Sequence, residues 1–164
     1  MDAEELRALA RRIIDSNLYM TLATADGGGR PWASPVYFAP ADYREFLWVS
    51  VPEAQHSQNI AARPEVGIVI FDSTVQPGTG RAVYVDAGAE ELTGHADFDR
   101  CLAAFNSRLE DPSTQGAKAF EPADLHPPGG HLRLYRATAS ALFALDPDGH
   151  PDGRAGDYRA PVDL

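Results

Sequence analysis

His56-Ser57-Gln58-Asn59 is the run with the clearest capacity for chemistry. It falls near the start of a short helical segment, directly after the aromatic stretch Phe46-Leu47-Trp48-Val49-Ser50. The first turn of a helix carries backbone N–H groups without intrahelical partners, and these bind an anion such as phosphate. Upstream, Ser34-Pro35-Val36-Tyr37 adds hydroxyl groups and an aromatic ring on a second extended stretch. Donors at a helix start beside an aromatic-lined sheet suit a flat, anionic ligand of the flavin nucleotide type. Each group also has an ordinary reading. Serine and asparagine cap helices, and tryptophan or tyrosine in a strand is commonly core. Trp32 reads as core or interface.

Other candidate chemistry is weaker. Gly27-Gly28-Gly29 lacks the Lys-Ser/Thr ending and following helix of a phosphate loop, so it reads as a hairpin turn. His95, His126 and His131 match no compact ligand spacing, and no cysteine pair supports them, so no metal is expected. Cys101, the single cysteine, lies on the apolar face of a helix and reads as an inert buried thiol. No serine sits in a nucleophile elbow, and no residue presents itself as an obligatory acid or base.

The elements that must position these groups follow from periodicity. Asp2 and Glu5 form a capping-box pattern ahead of Leu6, Leu9, Ala10, Ile13 and Ile14, predicting a helix over Ala3 to Ser16. Strands are expected over Tyr19–Ala25, Trp32–Ala39, Phe46–Val51, Val66–Phe71, Arg81–Leu92 and His131–Leu145. Pro35 places the second strand at an edge or bulge. The run Val66–Phe71 is apolar throughout and reads as a central strand covered on both faces. Helices are expected over Gln55–Ala62, ending before Arg63-Pro64, and from Asp97 along Phe98, Cys101, Leu102, Phe105 and Leu109. The segment 111–130, rich in proline and glycine, reads as a long loop of the kind that forms lids or binding elements. The tail from Asp146 is turn-rich, suited to wrapping a partner or to mobility.

Helices do not alternate regularly with strands, so the pattern indicates a mainly β (α+β) fold: a six-stranded antiparallel barrel with flanking short helices, which the resemblance given below makes a six-stranded antiparallel split β-barrel. The 164 residues suit one domain, 1–164, with a core of about 5–145 and a tail of 146–164. A net charge of -10 and no basic cluster argue against nucleic acid and anionic lipid. No apolar run reaches the length of a membrane span, and the acidic N-terminus is unlike a signal peptide, so a cytoplasmic location is expected.

The runs TLATADGGGRPWASPVYF, FLWVSVPEAQHSQNIAARPEVGIVIFD and, from Arg81, RAVYVDAGAEEL resemble the pyridoxamine 5'-phosphate oxidase-like family of FMN-binding split β-barrels. The resemblance implies a homodimer with flavin sites at the subunit interface. It further implies an FMN-dependent oxidoreductase acting on a small molecule. The implied cofactor-binding positions are Ser34, Pro35, Val36, Tyr37, Trp48, Val49, Ser50, His56, Ser57, Gln58, Asn59 and Arg81. A deazaflavin coenzyme or haem are alternative cofactors, and a non-catalytic binding or carrier role is the alternative function. Family members usually carry arginine or lysine on the second strand and at the helix start. Here Ala33, Ser34 and Gln58 stand there, leaving His56 as the only titratable cation. The C-terminal arginine and histidine pattern of the true pyridoxamine phosphate oxidases is absent, which argues against vitamin B6 oxidation.

Overall fold

The computed structural model describes residues 1–112 and 117–164. The chain runs α1 (Ala3–Ser16), β1 (Tyr19–Ala25), β2 (Pro31–Tyr37), β3 (Ala39–Ala41), β4 (Glu45–Ser50), α2 (Gln55–Ala62), β5 (Glu65–Phe71), β6 (Ala82–Glu91), α3 (Phe98–Leu109), β7 (Arg133–Asp146) and β8 (Tyr158–Pro161). A 3-10 turn, Pro122–Leu125, precedes β7. The strands form one antiparallel sheet in the order β2-β1-β5-β6-β7-β4-β3, and β8 also pairs with β7. Tyr37 and Ala39 lie at opposite ends of that order yet are separated in sequence only by the fully buried Phe38. The sheet must therefore curl until its ends meet, which makes the split barrel. Eight strands replace the expected six because the tail and the stretch after Phe38 each add a short one.

Local sequence explains the elements that carry the site. Asp2 accepts from Glu5 N at 2.9 Å, and Glu5 Oε2 accepts from Asp2 N at 3.0 Å, closing the capping box. The apolar stripe of Leu6, Ala10, Ile13 and Ile14 on α1 is buried against the sheet. The β1–β2 hairpin turns on Gly29 at φ 87°, a region open to glycine. Asp26 Oδ1 accepts from Gly28 N and Arg30 N, both at 2.9 Å. Pro35 is tolerated because β2 is the sheet edge, as expected.

Three expectations are corrected. The strand β5 is central, but only Val66, Ile68 and Ile70 are buried, while Gly67, Val69 and Phe71 face outward. Asp97 does not cap α3 with its side chain; its carboxylate binds Arg136 instead, at 2.7 Å. The tail docks on its own chain: β8 lies along β7, Ala160 is buried, and Val162 and Leu164 pack on the core. Within the predicted loop 111–130, residues 113–116 lie outside the described residues. The rest is anchored, with Leu125 fully buried and Phe120 exchanging two 2.9 Å hydrogen bonds with the Asn106 amide.

Strand alternation divides the interior in two. Leu22, Val36, Phe46, Trp48, Ile68 and Val85 face the barrel interior with α1. Leu47, Leu134 and Leu92 face outward under Phe98, Cys101, Leu102 and Phe105 of α3. Burial pushes the Cys101 thiol pKa up, in keeping with an inert side chain. Among the described residues no helix is long and apolar enough to cross a membrane.

Candidate functional site

A polar network lies where β2, β4 and α2 meet. His56 Nδ1 lies 3.2 Å from Ser34 Oγ, and Nε2 lies 2.9 Å from Ser50 Oγ. Trp32 Nε1 donates to Ser34 Oγ at 3.0 Å. Asn59 Nδ2 donates to Thr24 Oγ1 at 2.9 Å, and Gln55 Nε2 donates to Asn59 Oδ1 at 2.8 Å. His56, Ser34, Thr24 and Asn59 are all buried. The network ties α2 across the mouth of the barrel and leaves few interior polar groups unmet.

No carboxylate offsets the burial of His56, and burial lowers its pKa from the usual 6.5. The unfolded chain therefore takes up the proton first as pH falls. Stability contributed by neutral His56 is complete above pH 6.5 and is lost below it, down to the lowered folded value. Urea midpoints should fall between about pH 7 and pH 5.5, above the carboxylate range, and His56→Gln should flatten that slope. An equal slope in wild type and variant would overturn this assignment.

The helix α2 starts without a side-chain cap because its N-cap residue is Ala54. The first intrahelical donor is Gln58 N, which reaches Ala54 O at 3.0 Å. The unsatisfied backbone donors are thus those of Gln55, His56 and Ser57, two residues earlier than a site centred on Ser57 to Asn59. The Ser57 side chain faces inward at 3% exposure, beside Tyr135. Burial raises the Tyr135 phenol pKa and the Ser57 hydroxyl partly offsets that, although Ser57 Oγ lies outside ordinary hydrogen-bond geometry.

On the outer face of β2 and β4, an open groove of about 570 Å³ is lined by Tyr19, Tyr37, Val49, Phe105, Phe120 and Leu132, among others. Tyr37 packs edge-on against Tyr19 and Phe105, with centroids at 6.0 and 5.7 Å. The groove offers apolar and aromatic surface to a flat ring system. From Val49 in the groove, β4 runs through Ser50 to the network, and α2 begins five residues later.

The expected site residues therefore divide. Tyr37 and Val49 line the groove; Ser34, Ser50, His56 and Asn59 form the network. Pro35 is exposed on the edge strand, Val36 is core, and Gln58 is exposed with its amide on Glu53 O at 3.2 Å. Trp48 is fully buried and stacks on Tyr135 at 5.6 Å and 13°, which removes it as a ring platform. Arg81 lies in a different cleft, with Val69, Phe71 and Tyr84, and donates to Thr79 O and Gly80 O. The structure adds Arg30, Trp32 and Gln55, which line a small cleft beside α2. His56 is therefore not the sole cation of the region. The alternation of β2 puts Trp32 on the inward face, yet the residue is 48% exposed. Among the described residues no group of three or more His, Cys, Asp or Glu side chains could hold a metal.

The family model described as pyridoxamine 5'-phosphate oxidase matches residues 6–125, well over half of the chain. The chain belongs to the pyridoxamine 5'-phosphate oxidase-like family. The matched span contains the groove strands β2 and β4, the network and α2. No curated protein matches the sequence. Among solved structures, a haem storage protein from Vibrio cholerae is 19% identical, with a TM-score of 0.64 over 84% of this chain and 93% of that one. An FAD-binding protein from Mesorhizobium loti is 22% identical, with a TM-score of 0.60 over 88% and 94%. An F420 reductase is 21% identical, with a TM-score of 0.56 over 81% and 94%. At these identities the likeness shows the fold, a curled antiparallel split barrel.

Proposed function

We propose that this chain binds a phosphate-bearing flavin, FMN or a related deazaflavin coenzyme, and serves flavin-dependent oxidoreduction of a small molecule. The carrying observation is the uncapped start of α2, which leaves backbone donors five residues after the end of β4, the strand whose Val49 lines the aromatic groove. The residues fit such a cofactor. The N–H groups of Gln55, His56 and Ser57 would hold the phosphate, with the Ser50 hydroxyl beside them, and Tyr37 and Val49 would line the ring. A flavin supplies hydride transfer; this chain supplies binding and orientation. Haem is less well served, because both ring nitrogens of His56 already face serine hydroxyls. A homodimer is part of the reading. The outer face of the sheet carries Val69, Tyr84 and Phe143 around an open cleft of about 400 Å³, and this is the surface on which a second copy would pack. The one thiol is free and buried, which suits a reducing cytoplasm.

The test is retention of flavin or deazaflavin absorbance through gel filtration after incubation with each cofactor. Retention of neither sinks the reading. Ala54→Asp gives an independent check, since a carboxylate there would cap α2 in place of phosphate. That variant should gain about 1 kcal/mol of stability and lose about tenfold or more in FMN affinity. A more stable variant with unchanged FMN affinity would move the phosphate elsewhere.

A further inference from the structure

We propose that the cavity between α2 and the paired ends of β6 and β7 binds a small primary amine as its ammonium ion. The cavity, about 210 Å³, is lined by Ser57, Ile60 and Ala61 of α2, by Ala89 and Glu91 of β6 and by Tyr135 of β7, among others. No residue lines both this cavity and the aromatic groove. Ser57 contributes its inward-facing side chain here, whereas the flavin reading uses its backbone N–H. The volume is below the roughly 300–1,000 Å³ of sites for drug-sized ligands, which suits a short chain.

Two independent observations point to a cation that carries N–H donors. The first is an unmet hydroxyl. Ser57 is 3% exposed, and its Oγ has no hydrogen-bond partner among the described residues. A buried hydroxyl in that state is unfavourable until a ligand or a water meets it. The second is the sign of the field. Glu91 Oε1 accepts from Thr93 Oγ1 at 2.5 Å and lies 3.6 Å from Arg133 Nε, which leaves Oε2 open. Glu90 also lines the cavity, with Oε1 on Arg136. At the Tyr135 phenol, the carboxylates of Glu91 and Glu53 oppose the single guanidinium of Arg133. The last turn of α2 contains no basic residue, and Arg63 just beyond it turns its guanidinium to Gly27 O at 3.5 Å. The carbonyls of Ile60, Ala61 and Ala62 therefore present the negative end of the helix dipole on this side. An alkylammonium brings three N–H donors, which match the Ser57 hydroxyl, the Tyr135 phenol oxygen and the Glu91 carboxylate. Ile60, Ala61 and Ala89 offer apolar surface to its stem.

The experiment is calorimetric titration of butylammonium chloride into the full chain, with butan-1-ol and tetramethylammonium chloride as matched probes. Saturable butylammonium binding in the millimolar range is expected, in keeping with so few ligand atoms. Butan-1-ol lacks the charge and tetramethylammonium lacks the N–H donors. Each should bind about tenfold more weakly or worse, the fold-change of one lost charge-assisted hydrogen bond. Glu91→Gln, at a half-exposed position, should weaken butylammonium binding by a similar factor. Ala61→Leu, at an exposed helical position, should fill the cavity and abolish binding, while Ala61→Ser should retain it. Absence of saturable binding overturns the proposal, because a water alone would then serve Ser57. Equal affinity for the three probes also overturns it, as diffuse attraction or simple apolar uptake. Unchanged affinity in either Glu91→Gln or Ala61→Leu does the same. Flavin retention is read separately, and its failure would leave this amine site standing.

Discussion

Ile68→Asp should leave no folded chain, whereas Val69→Asp, one residue on, should fold. Ile68 is 1% exposed in the middle of β5, among Leu22, Val85 and the rest of the barrel interior. A carboxyl buried there without partners costs about 2–7 kcal/mol even when protonated. The lost isoleucine burial adds about 1.5–3 kcal/mol. Against a total stability of about 5–15 kcal/mol, the sum is ruinous. Val69 instead points outward into the cleft shared by Tyr84, Phe143 and Arg159, where water reaches an aspartate. Its expected cost is about 1 kcal/mol, the span of strand propensities. Far-UV circular dichroism and urea unfolding of the pair provide the test. If both fold, or neither does, the facing of β5 is wrong. The same variant probes assembly, since a second copy on this face would be driven off by a carboxylate. Gel filtration of Val69→Asp should then show a smaller species than wild type.

Arg136→Ala should be the most damaging substitution of a charged residue. Arg136 is 7% exposed and binds three acids from three elements: Glu45 at 2.8 Å, Asp97 at 2.7 Å and Glu90 at 2.7 Å. Arg100 of α3 closes the cluster with a bidentate grip on Glu45, at 2.7 and 3.1 Å. The cluster joins β4, β6 and β7 to the start of α3, and α3 in turn roofs the aromatic groove. Truncation leaves the half-buried Glu45 facing two further carboxylates with only Arg100 in compensation. Only Glu45 is mostly buried, Glu90 and Asp97 being 47% and 41% exposed, so losing the Arg136 hydrogen bonds costs about 1–3 kcal/mol. The unfolding free energy should fall by that amount, read as a lower urea midpoint at unchanged slope, and the loss should shrink in acid. Hydrogen bonds from Arg100 and Arg136 hold the Glu45 carboxyl below the usual range. Stability from this group is therefore present above pH 4.5 and is lost as pH falls through its lowered folded value. A midpoint within error of wild type would show the cluster to be energetically idle.

Local pattern carried much of the architecture. The capping box of Asp2 and Glu5 and the stripe from Leu6 to Ile14 specify α1 with both ends correct, because both signals lie within a few residues of one another. The stop at Arg63-Pro64 and the glycine turn after Asp26 are equally local, and they delimit α2 and the β1–β2 hairpin. The limits appear where a side chain's surroundings come from distant segments. Trp32 and Trp48 look alike in sequence, each an aromatic in an apolar strand. The first is half-exposed beside α2 and the second is sealed against Tyr135 of β7, 87 positions along the chain.

The amino-acid order by itself determined the antiparallel β architecture and the short polar helix beside aromatic strands, which are written in spacing of 2 or 3.6 residues and in turn chemistry, and its longer runs carried the resemblance to the family of split barrels. Only the tertiary structure decided that His56 is clasped between Ser34 and Ser50, that Tyr37 and Val49 share a groove from which Trp48 is excluded, and that Arg81 stands elsewhere. The reason is physical: strand alternation assigns each side chain to a face, but the curl of the sheet and the docking of α2 and α3 decide which face is core and which is site.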